Sequence, residues 1–170
     1  MNELLTPPSF SLNQTAAPEP QPIGGFLVVV ALVLCLGTIQ NLSGLVQTIG
    51  VVGRIWPRVT DPAAAAYHPY FGSLLVYELV AACFYLTVNI AALVLFFLKR
   101  RAFPIFMVAG LPATFILLFV DHYFAGQIPV IAQTATHSRA GYLLAAKFVM
   151  LHIWIPYFLV SKRVKTTFVR

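Results

Sequence analysis

Three ionisable side chains, Glu78, Asp121 and Lys147, stand inside long apolar stretches of the chain. Even the lower estimates place such a group near 2.5–3.5 kcal/mol at the centre of a bilayer, so each must find a partner, reach the headgroups or serve a function. Two carboxylates and an ammonium at one depth can relay protons, hold a small cation or bind a small ligand. The same groups can equally tie helices together, and a lysine near the headgroups can snorkel out to them. His122 adjoins Asp121, so Glu78, Asp121, His122 and Lys147 form the candidate intramembrane polar cluster, with the structural alternative standing beside it.

Other chemistries find little support. His68, His122 and His137, with Asp61 and Asp121, include the donor types that zinc takes, but they lack the short paired spacing of a metal motif, and no metal site is expected. His152 stands alone in its apolar run and is expected to be hydrogen-bonded within the protein. Cys35 and Cys83 are the two cysteines, both inside apolar runs and without a Cys-x-x-Cys pair. They read as small buried hydrophobes, which excludes a quinone-linked thiol oxidoreductase. Haem would need facing axial ligands that the in-span histidines are too few to supply. The sequence contains no Walker loop, nucleophile elbow or His-Glu-x-x-His, so neither an enzyme nor a cofactor is expected.

These residues must be positioned by elements that hydrocarbon solvates. The 170 residues are 59% hydrophobic and 9% charged, with a mean hydropathy of +0.84, far outside the soluble globular range. The fold class that follows is all-α: a polytopic membrane protein of four transmembrane helices, expected over about 23–46, 72–98, 103–124 and 141–160. Only helices and closed barrels satisfy every backbone amide in lipid, and continuously apolar runs exclude the alternating strands of a barrel. Residues 1–22 hold five prolines, two acids and no Lys or Arg, and read as a retained disordered tail. Residues 161–170 form a basic C-terminal tail.

The net charge of +6 is set by topology and gives no support for nucleic-acid binding, because no aromatic platform or groove-reading motif accompanies it. Seven of the eleven basic residues lie in two clusters beside apolar runs: Lys99, Arg100 and Arg101, then Lys162, Arg163, Lys165 and Arg170. By the positive-inside rule both termini face the cytoplasm of a bacterial inner membrane. With that orientation, Glu78, Asp121 and Lys147 each lie six residues or fewer from the outer span ends, about 9 Å, and share a depth.

Between spans one and two, Leu45, Ile49, Val52 and Trp56 fall on one helical face, predicting an outer-side interfacial helix that Pro57 stops. Asp61-Pro62 predicts the start of a short Ala-rich helix, followed by interface anchors Tyr67, Tyr70 and Phe71. At the other face, Val160, Val164 and Phe168 are four apart, predicting that span four continues as a basic amphipathic turn along the anionic leaflet. Pro156 removes the amide that would bond the carbonyl of His152, predicting a kink. Thr38, Gln40, Asn41, Ser43 and Asn89 read as interhelical hydrogen-bonding residues, and Gly37, Gly44, Gly110, Ala109 and Ala113 as points of close approach.

Three stretches carry a resemblance: Ile23-Gly24-Gly25-Phe26-Leu27, then Phe97-Leu98-Lys99-Arg100-Arg101 with Pro104, and Ile155-Pro156-Tyr157-Phe158 through Ser161-Lys162-Arg163-Val164-Lys165-Thr166-Thr167-Phe168-Val169. They resemble the YdgK-like family of small four-span bacterial inner-membrane proteins, a domain-of-unknown-function family. The likeness implies fold and location and supplies no site residues. The functional expectation is a membrane protein acting by association, as an accessory, assembly or envelope-sensing protein. Its partners would be the lipid bilayer and a membrane protein or further copies of itself. The alternative is a small oligomeric transporter or channel that uses the polar cluster.

Overall fold

The structure is a computed structural model that describes residues 22–169. The tail expected over 1–22 therefore lies outside the described residues except for Pro22. The described chain is helical, in the order α1 (Phe26–Thr60), α2 (Phe71–Phe97), α3 (Ala102–Gly126), α4 (Pro129–Ala132), α5 (Ala135–Val160) and α6 (Lys162–Thr167). Four of these, α1, α2, α3 and α5, are long and apolar enough to cross a membrane. The protein is a multi-pass membrane protein.

The interfacial helix is not a separate element. Helix α1 runs unbroken for 35 residues, about 52 Å against a hydrocarbon core near 30 Å, so the stripe of Leu45, Ile49, Val52 and Trp56 belongs to the same rod as span one. Nothing between Val46 and Gln47 interrupts the hydrogen-bond ladder. Pro57 does not stop the helix either, because it falls in the last turn and the residue four back, whose carbonyl the ring crowds, is Gly53. One turn later the Thr60 hydroxyl donates to the Trp56 carbonyl at 2.7 Å. The Ala-rich helix is likewise replaced by turns. Asp61 Oδ1 accepts from the Ala63 amide at 2.9 Å as a cap would, but the chain then makes three-residue turns instead of a helix. Pro69 closes off the segment before a ladder can form.

Helix α5 begins at Ala135, six residues earlier than the apolar pattern suggested, because Thr134 caps it by accepting from the His137 amide at 3.1 Å. At its other end the break falls at Ser161. Pro156 sits inside α5, and the helix continues past it to Val160. Ser161 takes an extended conformation (φ −60°, ψ 117°) and caps α6 in turn.

The C-terminal segment does not extend α5 as a surface turn. Val160 is 73% exposed, whereas Val164 and Phe168 are buried, so the three are not one face. Val164 and Phe168 join Leu27, Val30, Leu34, Ala92, Phe96, Phe103 and Phe158 in the main core. Phe168 stacks on Phe103 at 4.6 Å, and the Arg101 guanidinium donates to the Val169 carbonyl. The apolar groups expected to meet the leaflet meet the protein instead.

Gly24 and Gly25 pack against Arg163. A Cβ on Gly24 would lie 2.7 Å from its guanidinium, and Gly25 has φ +58°, which favours glycine. The inner loop closes in a Schellman turn, with Lys99 at φ 51°, the Arg100 amide bonded to the Leu95 carbonyl and the Lys99 amide to that of Phe96, both at 3.0 Å. The three stretches that carry the family resemblance thus converge on one basic end.

Helices α1 on α2, α2 on α3 and α3 on α5 pack in chain order. At the basic end the array is drawn shut: Phe26 of α1 meets Tyr157 of α5 edge-on at 4.8 Å and Trp154 at 5.5 Å. Farther along, α1 and α5 make no more than marginal contact. The bundle is closed at the basic end and open sideways above it.

Candidate functional site

The opening is lined by polar groups from α1, α2 and α3, with Lys147 of α5, in two compartments. The one farther from the basic end, about 280 Å³, is bordered by Glu78 and Asp121 together with Gln40, Asn41, Thr48 and Tyr85. The middle one, about 490 Å³, is bordered by Gln40, Asn41, Tyr85, Asn89, Thr114 and Lys147. Gln40, Asn41 and Tyr85 are common to both, so the two form a continuous polar tract.

Interhelical hydrogen bonds build its walls. The Thr38 hydroxyl lies 3.0 Å from Asn89 Oδ1 and 2.9 Å from the Leu34 carbonyl, joining α1 to α2. The Tyr77 hydroxyl donates to the Leu117 carbonyl at 2.6 Å and that of Tyr85 to the Thr114 carbonyl at 3.4 Å, joining α2 to α3. Each donor lies on a helix face that the partner helix covers, where an unmade hydrogen bond would be expensive in lipid.

Of the expected cluster, the fold brings Glu78 and Asp121 into one compartment. Asp121 Oδ1 is buried without a hydrogen-bond partner among the described residues. Lys147 joins neither carboxylate. The α3–α5 register explains why: Phe115 faces Phe148, His122 faces Gly141 and Gly126 faces His137, which sets Lys147 opposite Ile116. That is five residues, or about 7.5 Å, nearer the basic end than Asp121. Lys147 stands twelve residues into α5, close to the middle of the helix. Counting from Gly141 had placed it at the depth of the carboxylates; the extra turn and a half of α5 removes that coincidence.

His122 pairs with a residue that spacing had not linked to it. Its ring stacks on that of His137 at 4.2 Å and 10°, and each ring lies against the other helix's glycine, 3.4 Å from where a Cβ would stand. The signal was present as two His-x-x-x-Gly segments, His122 to Gly126 and His137 to Gly141, one on each helix. His122 Nδ1 is buried without a partner. No group of three metal-binding side chains occurs among the described residues.

His152 bonds within its own helix, Nδ1 to the Phe148 carbonyl at 2.9 Å. Cys35 and Cys83 are free and lie on outer helix surfaces, not in the core. Their small apolar character suits lipid as well as a protein interior, so the runs alone could not place them. Of the basic clusters, Arg101 and Arg163 serve the basic end as described, and Arg100 and Lys162 are exposed around it together with Lys165. Tyr85 and Thr114 were not singled out by sequence. Glu78, Tyr85 and Asn89, spaced seven and four apart on α2, were the pattern that marked the lined face.

Comparison with curated proteins and with solved structures finds no significant match. A family of sequences does match, over residues 20–169, nearly the whole chain. The chain belongs to the family described as "Protein of unknown function (DUF2569)".

Proposed function

We propose that this protein acts by association in the plane of the membrane, as an accessory, assembly or envelope-sensing protein, and that it catalyses no reaction. The observation that carries this reading is the shape of the bundle. Phe96, Phe103, Phe158 and Phe168 fill its axis at the basic end, whereas its polar tract opens sideways between α1 and α5. A side opening faces other membrane components. Helix α5, with little beyond Leu144 and Phe158 buried, adds a long uncovered apolar surface for lipid, a membrane protein or a second copy. The basic end faces the cytoplasm of a bacterial inner membrane, an assignment supported by its Lys and Arg clusters. Within the family, the closing Ser161 to Val169 stretch is what supports placing the chain in a YdgK-like group.

Photo-crosslinking in native membranes tests this. A crosslinker at Val33 or Leu36, on the rim of the opening, is expected to give a discrete adduct of fixed composition; one at Ile90 or Val94, exposed on α2 away from it, gives only diffuse lipid labelling. Diffuse labelling at all four positions overturns the association reading. Transport is the second reading, favoured by the Glu78 and Asp121 compartment joined to the middle cleft. Flux in liposomes that is lost with Glu78→Gln or Asp121→Asn would establish it in place of the first.

A further inference from the structure

The middle cleft is graded in polarity along its length. Gln40, Asn41, Tyr85, Thr114 and Lys147 ring one end, Asn89 stands partway along beside Gly37, and Val33, Leu36, Ala92, Phe106 and Met107 line the other end, toward the aromatic floor of the basic end. From Asn41 to Val33 is eight residues of helix, about 12 Å. Lys147 has no hydrogen bond or ion pair among the described residues, and the two carboxylates of the bundle border the other compartment. It is exposed, and also lines a smaller recess with Leu111, Thr114, Met150, Leu151 and Trp154, on the side nearer the basic end. A mid-span ammonium without a counter-charge is costly in hydrocarbon, and a mobile anion would relieve it. The volume of about 490 Å³ suits a small ligand and is too small for a helix 10–12 Å across.

Resting on the association reading, and naming what enters the opening, we propose that the cleft binds a free fatty acid, its carboxylate at Lys147 and its acyl chain running toward Phe106 and Met107. A carboxylate would take a charge-assisted bond from Lys147 and amide donors from Gln40 and Asn41, while the apolar part of the cleft takes the tail. The outer compartment lies on the head-group side of the same tract.

The test uses the full chain in nanodiscs and a diazirine-bearing dodecanoic acid, with its methyl ester and the matching alkylamine as controls. The acid is expected to label saturably, with adducts on α1 between Val33 and Asn41 or on α3 between Phe106 and Thr114, and neither control competes. Lys147→Met is expected to weaken labelling about tenfold or more, the loss of one charge-assisted contact, and Lys147→Arg to retain it. Leu36→Trp, which fills the cleft without touching the charge, is expected to abolish labelling and keeps the test valid should Lys147→Met fail to fold. Equal labelling by acid and ester, or labelling unaffected by both Lys147→Met and Leu36→Trp, overturns the proposal. A discrete protein adduct at Leu36 in native membranes that added dodecanoic acid does not displace also overturns it, while leaving lateral association standing.

Discussion

The basic end and the opening above it are made of the same four helices, yet they are held together by different physics. At the basic end, aromatic rings interlock: Phe103 meets Phe96 at 5.2 Å, Phe158 at 5.6 Å and Phe168 at 4.6 Å, and α6 folds back to complete the set. In the opening, single hydrogen bonds such as Thr38 to Asn89 join neighbouring helices while polar side chains line unfilled space. Shape complementarity fixes one arrangement of a core, whereas a few hydrogen bonds across a gap leave room for another molecule. The difference teaches that the larger of the bundle's two cores closes the basic end, while the middle of the bundle is left open between it and the smaller core of Leu74, Ala125 and Ile128.

Substitutions can break or sharpen that contrast. The largest effect is expected from Phe103→Ala, which removes a fully buried ring from the middle of the aromatic set; a loss of about 3–5 kcal/mol in a detergent unfolding titration is anticipated. Loss below about 1 kcal/mol would mean that this core does not hold the basic end. Gly25→Ala comes next, at about 1–2 kcal/mol for forcing a side chain into left-handed backbone beside Arg163. Its midpoint should recover only in part when Arg163→Ala is added, since the backbone strain remains. Thr38→Val, in the opening, should lower stability by about 0.6 kcal/mol, the average for an interhelical hydrogen bond in a membrane protein. No loss is expected for Lys147→Met, because no interaction within the bundle is lost and an unpaired ammonium is removed. A drop of several kcal/mol for Lys147→Met would instead reveal a structural ion pair and erase the distinction between the halves.

Much of the fold was legible in the order of residues. Four apolar runs of spanning length leave the backbone no choice but helix, and Thr38 and Asn89, read as bonding across helices, do so. The candidate site was legible only in part. Glu78 and Asp121 share a compartment, but Lys147 lies deeper, because a capping threonine in a polar stretch lengthened α5 where hydropathy showed nothing. The docking of Val164 and Phe168 was hidden for a related reason: apolar spacing says that a face will be covered without saying by what.

By itself, the sequence determined the solvent and the element type, since composition and run length decide where a chain can reside and which hydrogen-bonding pattern survives there. Only the tertiary structure decided that α1 would pass through Pro57 as one rod, that the C-terminal segment would seal the basic end, and that α1 and α5 would part to leave a polar cleft. Those outcomes depend on which faces meet across distant parts of the chain, and periodicity along one helix carries no information about its neighbour.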